Sequence, residues 1–150
     1  MKPIHKAILI TAIFTLIACA TIDSKDVYQI EEDIQVKTQR EYEEVLDYQL
    51  LLETTFDVES ENYYVYFYSL SCTHCNEIKN YIIEKALERK DIYFIKGTSK
   101  DKITTDTKKL IGAENPEDIW LLGYPSLLLI SNKKCTKNLA GEQQIKNELK

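Results

Sequence analysis

The sequence predicts an α/β domain over residues 41–150, and three stretches predict it. Residues 63–69 (YYVYFYS) form an unbroken aromatic and β-branched run, the strongest strand signal in the chain. That run leads through Cys72-Thr73-His74-Cys75 into Ile78, Ile82, Ile83, Ala86 and Leu87, the i, i+3/i+4, i+7 spacing of one helix face. Further on, Gly123-Tyr124-Pro125-Ser126 precedes an apolar run at 127–130. Residues 132–134 then turn the chain back into a further strand.

Taken in order, residues 41–54 carry Tyr42, Val45, Leu46, Gln49, Leu50 and Leu52 at helix-like spacing, with acids early in the run, and predict a first helix. The strand at 63–69 lacks polar alternation, which predicts burial on both faces. The amphipathic helix extends from the cysteine pair to Lys90, with Glu77, Lys79, Glu84, Lys85 and Glu88 off its apolar stripe. Ile92-Tyr93-Phe94-Ile95 is a short buried strand. Residues 103–111 are read as a helix ending at Gly112, weakened by Thr104, Thr105 and Thr107, and Asn115-Pro116 marks a break. Cys135 lies in the strand at 135–139 as a small buried hydrophobe, with a third redox thiol or an intermolecular link as the other readings. Gly141 leads into a final helix with Ile145 and Leu149 on one face.

The N-terminal residues do not fit that domain. Lys2, His5 and Lys6 are basic, and residues 7–18 are apolar apart from Thr11 and Thr15. A run of about a dozen residues matches the core of an export signal and falls short of the roughly 20 that span a bilayer. It ends Leu16-Ile17-Ala18-Cys19, which resembles the lipobox of bacterial lipoproteins. The resemblance implies cleavage before Cys19 and lipid on its sulfur. The same letters, Ala18-Cys19-Ala20, also fit ordinary signal cleavage with release, and an uncleaved anchor is a third reading for which the run is short. The expected organisation is a signal peptide at 1–18, an acidic polar tether at 19–40 and the domain at 41–150.

Charge narrows the partners. The chain carries a net charge of −5, which becomes −7 when Lys2 and Lys6 leave with the signal. An acidic protein is a poor match for phosphate backbones, so nucleic acid is not expected. No polybasic patch marks anionic lipid, so the membrane contact would be the lipid on Cys19.

The order helix, strand, C-x-x-C, helix, strand, helix, proline, hairpin, helix resembles the thioredoxin fold over roughly residues 41–150. The resemblance implies a central mixed β-sheet flanked by helices and a thiol–disulfide oxidoreductase. Tyr66-Phe67-Tyr68-Ser69-Leu70-Ser71-Cys72-Thr73-His74-Cys75 is similar to the DsbA-type pattern, which also has histidine before the second cysteine. Thioredoxin itself has tryptophan before the first cysteine and Gly-Pro between the pair, where this chain has Ser71 and Thr73-His74. That departure leans toward an oxidase or isomerase and away from a housekeeping reductase. The family often carries a buried acid six residues before the first cysteine, where this chain has Tyr66. A phenol is a poor proton shuttle at neutral pH, so water or another acid serves that step or turnover is slow. Pro125 resembles the cis-proline facing the dithiol, with Tyr124 beside it lining the substrate groove or simply packing.

The residue types explain themselves chemically. The thiolate is the nucleophile in exchange, and a free cysteine is mostly protonated at neutral pH. A helix start offers Cys72 unpaired N–H groups and the positive end of the dipole. Cys75, one turn on, resolves the mixed disulfide. Cys72 is therefore expected to be the exposed, attacking sulfur and Cys75 the buried one. His74 would stabilise the thiolate by charge or hydrogen bonding, with a solvated helix-start residue as the plainer reading.

A metal is not expected: structural zinc commonly takes two separated ligand pairs, and Cys72, Cys75, Cys135 and His74 do not supply them. No cofactor is expected, since two sulfurs carry the electrons. The expected partners are exported cysteine-containing proteins as substrates and a separate membrane or soluble redox partner. The rival readings are a non-catalytic accessory or binding lipoprotein on the same fold and a thioredoxin-like reductase for a dedicated partner.

Overall fold

The structure is a computed structural model that describes residues 39–150. The expected signal peptide, Cys19 and nearly all of the expected tether lie outside the described residues.

Four strands make the main sheet: β1 (Asn62–Tyr68), β2 (Ile92–Lys96), β5 (Ser126–Ser131) and β6 (Lys134–Ala140), in the order β2-β1-β5-β6. β1 runs parallel to β2, which requires the crossover supplied by helix α1 (Thr73–Arg89). β1 is antiparallel to β5, and β5 to β6, so the sheet is mixed. β5 and β6 join through Asn132 and Lys133, both at positive φ, the backbone of a two-residue hairpin turn. A second, two-stranded parallel sheet pairs β3 (Lys102–Ile103) with β4 (Trp120–Leu121). Helix α2 (Glu142–Glu148) closes the chain.

The pleat of β1 divides the core. Tyr66 and Tyr68 face a layer built from α1, α2 and the segment at 42–48, with Ile78, Ile82, Ile83, Phe94, Leu127 and Ile145 buried among them. Tyr63, Val65 and Phe67 face the opposite side, covered by Phe56, Ala113, Ile119 and Leu121. Both faces of β1 are buried, as its unbroken apolar run predicts. The sheet is thus flanked by α-helices on one face and by 3-10 turns with the small sheet on the other.

Two sequence expectations are corrected. Residues 41–54 form 3-10 turns at Tyr42–Tyr48 and Leu52–Thr54 instead of a helix. Val45 leaves helical geometry at φ −119°, and Gln49 bridges to Phe94 while Leu50 N–H donates to the Phe94 carbonyl at 2.8 Å. Pairing with the free edge of β2 requires extended backbone there, so tertiary contact overrides the spacing. The segment is pinned at its start by buried Lys79, whose Nζ donates to Glu41 Oε2 at 2.7 Å.

Residues 103–111 are also not a helix. Ile103 belongs to β3, and only Thr107–Lys109 make a 3-10 turn. Thr104 N–H donates to the Leu121 carbonyl, Thr104 Oγ1 accepts from Asp106 N–H at 3.0 Å, and the Asp106 carboxylate accepts from Lys108 N–H at 3.1 Å. Short polar side chains that bond the nearby backbone compete with helix formation.

Candidate active site: a cysteine pair at a helix start

β1 delivers the chain to the site. The Tyr68 carbonyl, at the strand's end, accepts from Gly97 N–H at 2.7 Å, so the ends of β1 and β2 are tied together just before the dithiol. Residues 69–71 then turn, with Cys72 N–H donating to the Ser69 carbonyl at 3.1 Å. Cys72 itself is the N-cap of α1, with extended φ and ψ of −88° and 115°. Its Sγ accepts from Cys75 N–H at 3.1 Å, where Ser, Thr, Asp or Asn would normally supply oxygen. The first turn of α1 carries no acid to offset the positive helix end. In the reduced protein the same N–H and the same dipole favour a thiolate on Cys72.

Cys72 and Cys75 form a disulfide with a Cα–Cα separation of 5.2 Å. Cys72 is partly exposed and Cys75 fully buried, the asymmetry expected of an attacking and a resolving sulfur. Thr73 and His74 are exposed on the first turn of α1. His74 Nδ1 lies 2.9 Å from Glu77 Oε2, and among the described residues no hydrogen bond joins it to Cys72.

The opposite wall comes from the loop before β5. The Tyr124–Pro125 bond is cis. The Tyr124 carbonyl oxygen lies 3.5 Å from Cys72 Sγ, although 52 residues separate them. Ser126 Oγ donates to the Gly123 carbonyl at 2.7 Å and Gly141 N–H to the Pro125 carbonyl at 3.0 Å, which hold the loop from both sides. The fold brings Cys72, Thr73, His74, Cys75, Tyr124 and Pro125 to one place, as the sequence motifs imply. The architecture is thioredoxin-like.

Within that thioredoxin-like architecture, Tyr66 is buried beneath the site. Its hydroxyl and that of Tyr42 have no hydrogen-bond partner among the described residues. Burial, and then neighbouring Tyr42, raises the Tyr66 phenol well above its ordinary value, so it stays neutral. Cys135 is a free, buried thiol whose Sγ touches the Leu110 and Lys137 carbonyls at 3.5 and 3.4 Å, and burial pushes it up to about 12. A protonated thiol is a weak nucleophile, which fits the packing role. Sequence reasoning did not single out Gly97 or Asp101, which meet the Tyr124 ring. Nothing local to either residue signals that contact.

No known family profile matches the chain, and no curated protein resembles it in sequence. Solved structures do. Chlamydomonas reinhardtii thioredoxin f2 is 22% identical, covering 67% of this chain and 88% of that one, with a TM-score of 0.44. Plasmodium falciparum thioredoxin is 19% identical over 65% and 86%, with a TM-score of 0.42. Mitochondrial thioredoxin 3 from Saccharomyces cerevisiae is 14% identical over 67% and 88%, with a TM-score of 0.44.

Proposed function

We propose that the protein is an exported thiol–disulfide oxidoreductase, tethered by lipid on Cys19 to the outer face of a bacterial cytoplasmic membrane. The observation that carries the reading is the 3.5 Å approach of Cys72 Sγ to the Tyr124 carbonyl, with Cys75 one turn behind. A partly exposed sulfur at a helix start meets a backbone edge on which an extended substrate can lie as an added strand.

The exchange balances with no added reagent. The Cys72 thiolate attacks one sulfur of a substrate disulfide, an S–S bond forms between enzyme and substrate, and the other substrate sulfur leaves as thiolate. The Cys75 thiol gives up its proton and attacks Cys72 sulfur, releasing the second substrate thiolate. The enzyme pair is oxidised and the substrate reduced by two electrons; the reverse sequence donates a disulfide. Exported cysteine-containing proteins are the substrates, and a separate redox partner resets the pair. Thr73-His74 between the cysteines favours the oxidase or isomerase direction, because a histidine beside the thiolate stabilises it, by charge when protonated and by hydrogen bonding otherwise, and a stabler reduced thiolate makes the disulfide more oxidising.

Two measurements test this. A Cys75→Ser variant should accumulate mixed disulfides through Cys72 that dissolve in reductant; none would leave a tethered binding domain. The reduction potential should lie nearer the roughly −120 mV of strong oxidants than the roughly −270 mV of thioredoxin. Metabolic lipid labelling of the native chain and of Cys19→Ala tests the tether, and equal labelling of both would remove it.

A further inference from the structure

Tyr124 is fixed by its side chain as well as by its backbone. It packs against both halves of the core. The end of its ring lies over Gly97, where an added Cβ would overlap the hydroxyl, Cζ and Cε1. The hydroxyl donates to the Asp101 carboxylate. Asp101 is itself set by a compact turn. Thr98 Oγ1 donates to its other carboxylate oxygen at 2.9 Å, and Asp101 N–H donates to the Thr98 carbonyl at 3.3 Å. Lys100 N–H donates to Thr98 Oγ1 at 3.2 Å. Gly97, at the foot of that turn, is tied to the end of β1 through the Tyr68 carbonyl.

A continuous set of contacts therefore runs from the strand that presents Cys72, through Gly97 and Asp101, to the residue whose carbonyl faces Cys72. Burial, and then the bond to Asp101, raises the Tyr124 phenol, so it remains the donor of this bond. We propose that Gly97, Asp101 and the Tyr124 side chain form a latch that presets the Tyr124 backbone for an extended polypeptide bearing the substrate cysteines. Asp101 is a positioning residue acting through Tyr124. The proposal rests on the exchange reading above and deepens it by naming the residues that position the substrate edge.

The reason is pre-organisation. An added strand must find the loop's carbonyl already aimed, and a loop that has to order on binding loses affinity. A small dithiol has no strand to lay down and is indifferent to the latch. The contrast between the two substrates is the signature.

The test compares the oxidised full chain, reset by glutathione disulfide, acting on an extended synthetic peptide with two cysteine thiols and on dithiothreitol, because a strongly oxidising pair runs the exchange in this direction. Asp101→Ala should raise KM for the peptide about tenfold with kcat unchanged, the loss of one hydrogen bond. The rate with dithiothreitol should stay within about twofold of native. Tyr124→Phe should give the same rise in peptide KM, and the double variant no more than either, because both break one link. Asp101→Asn keeps an acceptor oxygen and should recover most of the affinity. Gly97→Ala keeps both polar groups, unseats the ring, and should match Asp101→Ala. An unchanged peptide KM in Asp101→Ala would overturn the latch, as would an equal loss on both substrates. A native protein that oxidises neither substrate would overturn the exchange reading, and the latch with it.

Discussion

At the scale of single residues, Tyr66 separates this site from the oxidoreductases its motif resembles. Its position there often holds an acid that takes the proton of the second cysteine. Here the side chain is a phenol, kept neutral by burial and without a hydrogen-bond partner among the described residues, so it does not accept that proton. Tyr66→Phe should leave the pH profile of exchange unmoved, as read by quenched-flow trapping between about pH 5 and 9, where an unperturbed tyrosine is already neutral. Stability should stay within about 1 kcal/mol of native, since the hydroxyl removed makes no bond to the described residues. A displaced profile would make the phenol part of the proton path. Cys72, Cys75 and Pro125 were legible from local pattern, because a helix start, a one-turn spacing and an X-Pro bond are sequence-local properties. Asp101 was not legible, since its contact with Tyr124 spans 23 residues and exists only once β2 and the loop before β5 are neighbours.

At the scale of elements, α1 is the best-read segment and carries one uncorrected local cost. Its spacing fixed the buried stripe of Cys75, Ile78, Ile82, Ile83 and Ala86, and its start coincides with the dithiol. Its end does not use glycine. Lys90 stands in the left-handed region at φ 61° and ψ 18°, a conformation that costs a side-chain-bearing residue roughly 1 kcal/mol. Lys90→Gly should raise stability by about 0.5–1 kcal/mol, with some offset from greater freedom of the unfolded chain. Urea midpoints at constant m-value would show it, and a loss of stability would mean the Lys90 side chain matters more than its backbone. The segments misread, 41–54 and 103–111, share a cause. Both have helix-like apolar spacing, but their backbone N–H and C=O groups are claimed by other parts of the fold: the β2 edge for Leu50 and β4 for Thr104. Periodicity reports which side chains face inward, and it does not report which backbone partner is available.

At the scale of the whole molecule, the unusual density of buried phenols sets how the protein answers to pH. Burial raises Tyr42 and Tyr63 to about 12, raises Tyr66 and Tyr68 in the same direction, and raises Cys135 to about 12. Each is an acid kept neutral by the fold, whereas in the unfolded chain tyrosines titrate near 10 and a cysteine near 8.5. Above those values the unfolded state has released protons that the folded state still holds, so stability falls as pH rises. Their contribution is whole below about pH 8.5 and is lost progressively toward pH 12, with Cys135 leading and the tyrosines following. The acid side is milder. Among the described carboxylates only Glu148, held down by Lys137, and fully exposed Glu44 are lowered, and exposed pairs contribute little. Urea midpoints measured across pH should therefore decline more steeply above pH 9 than below pH 5. Cys135→Ala should delay the first part of the alkaline decline, and Tyr63→Phe should flatten its later part. The part of the phenolate absorbance at 295 nm that is lost in Tyr63→Phe should appear together with unfolding and not ahead of it. Ionisation of these tyrosines in a protein still folded at pH 11 would show that the core admits solvent, and the layered packing around β1 would have to be redrawn.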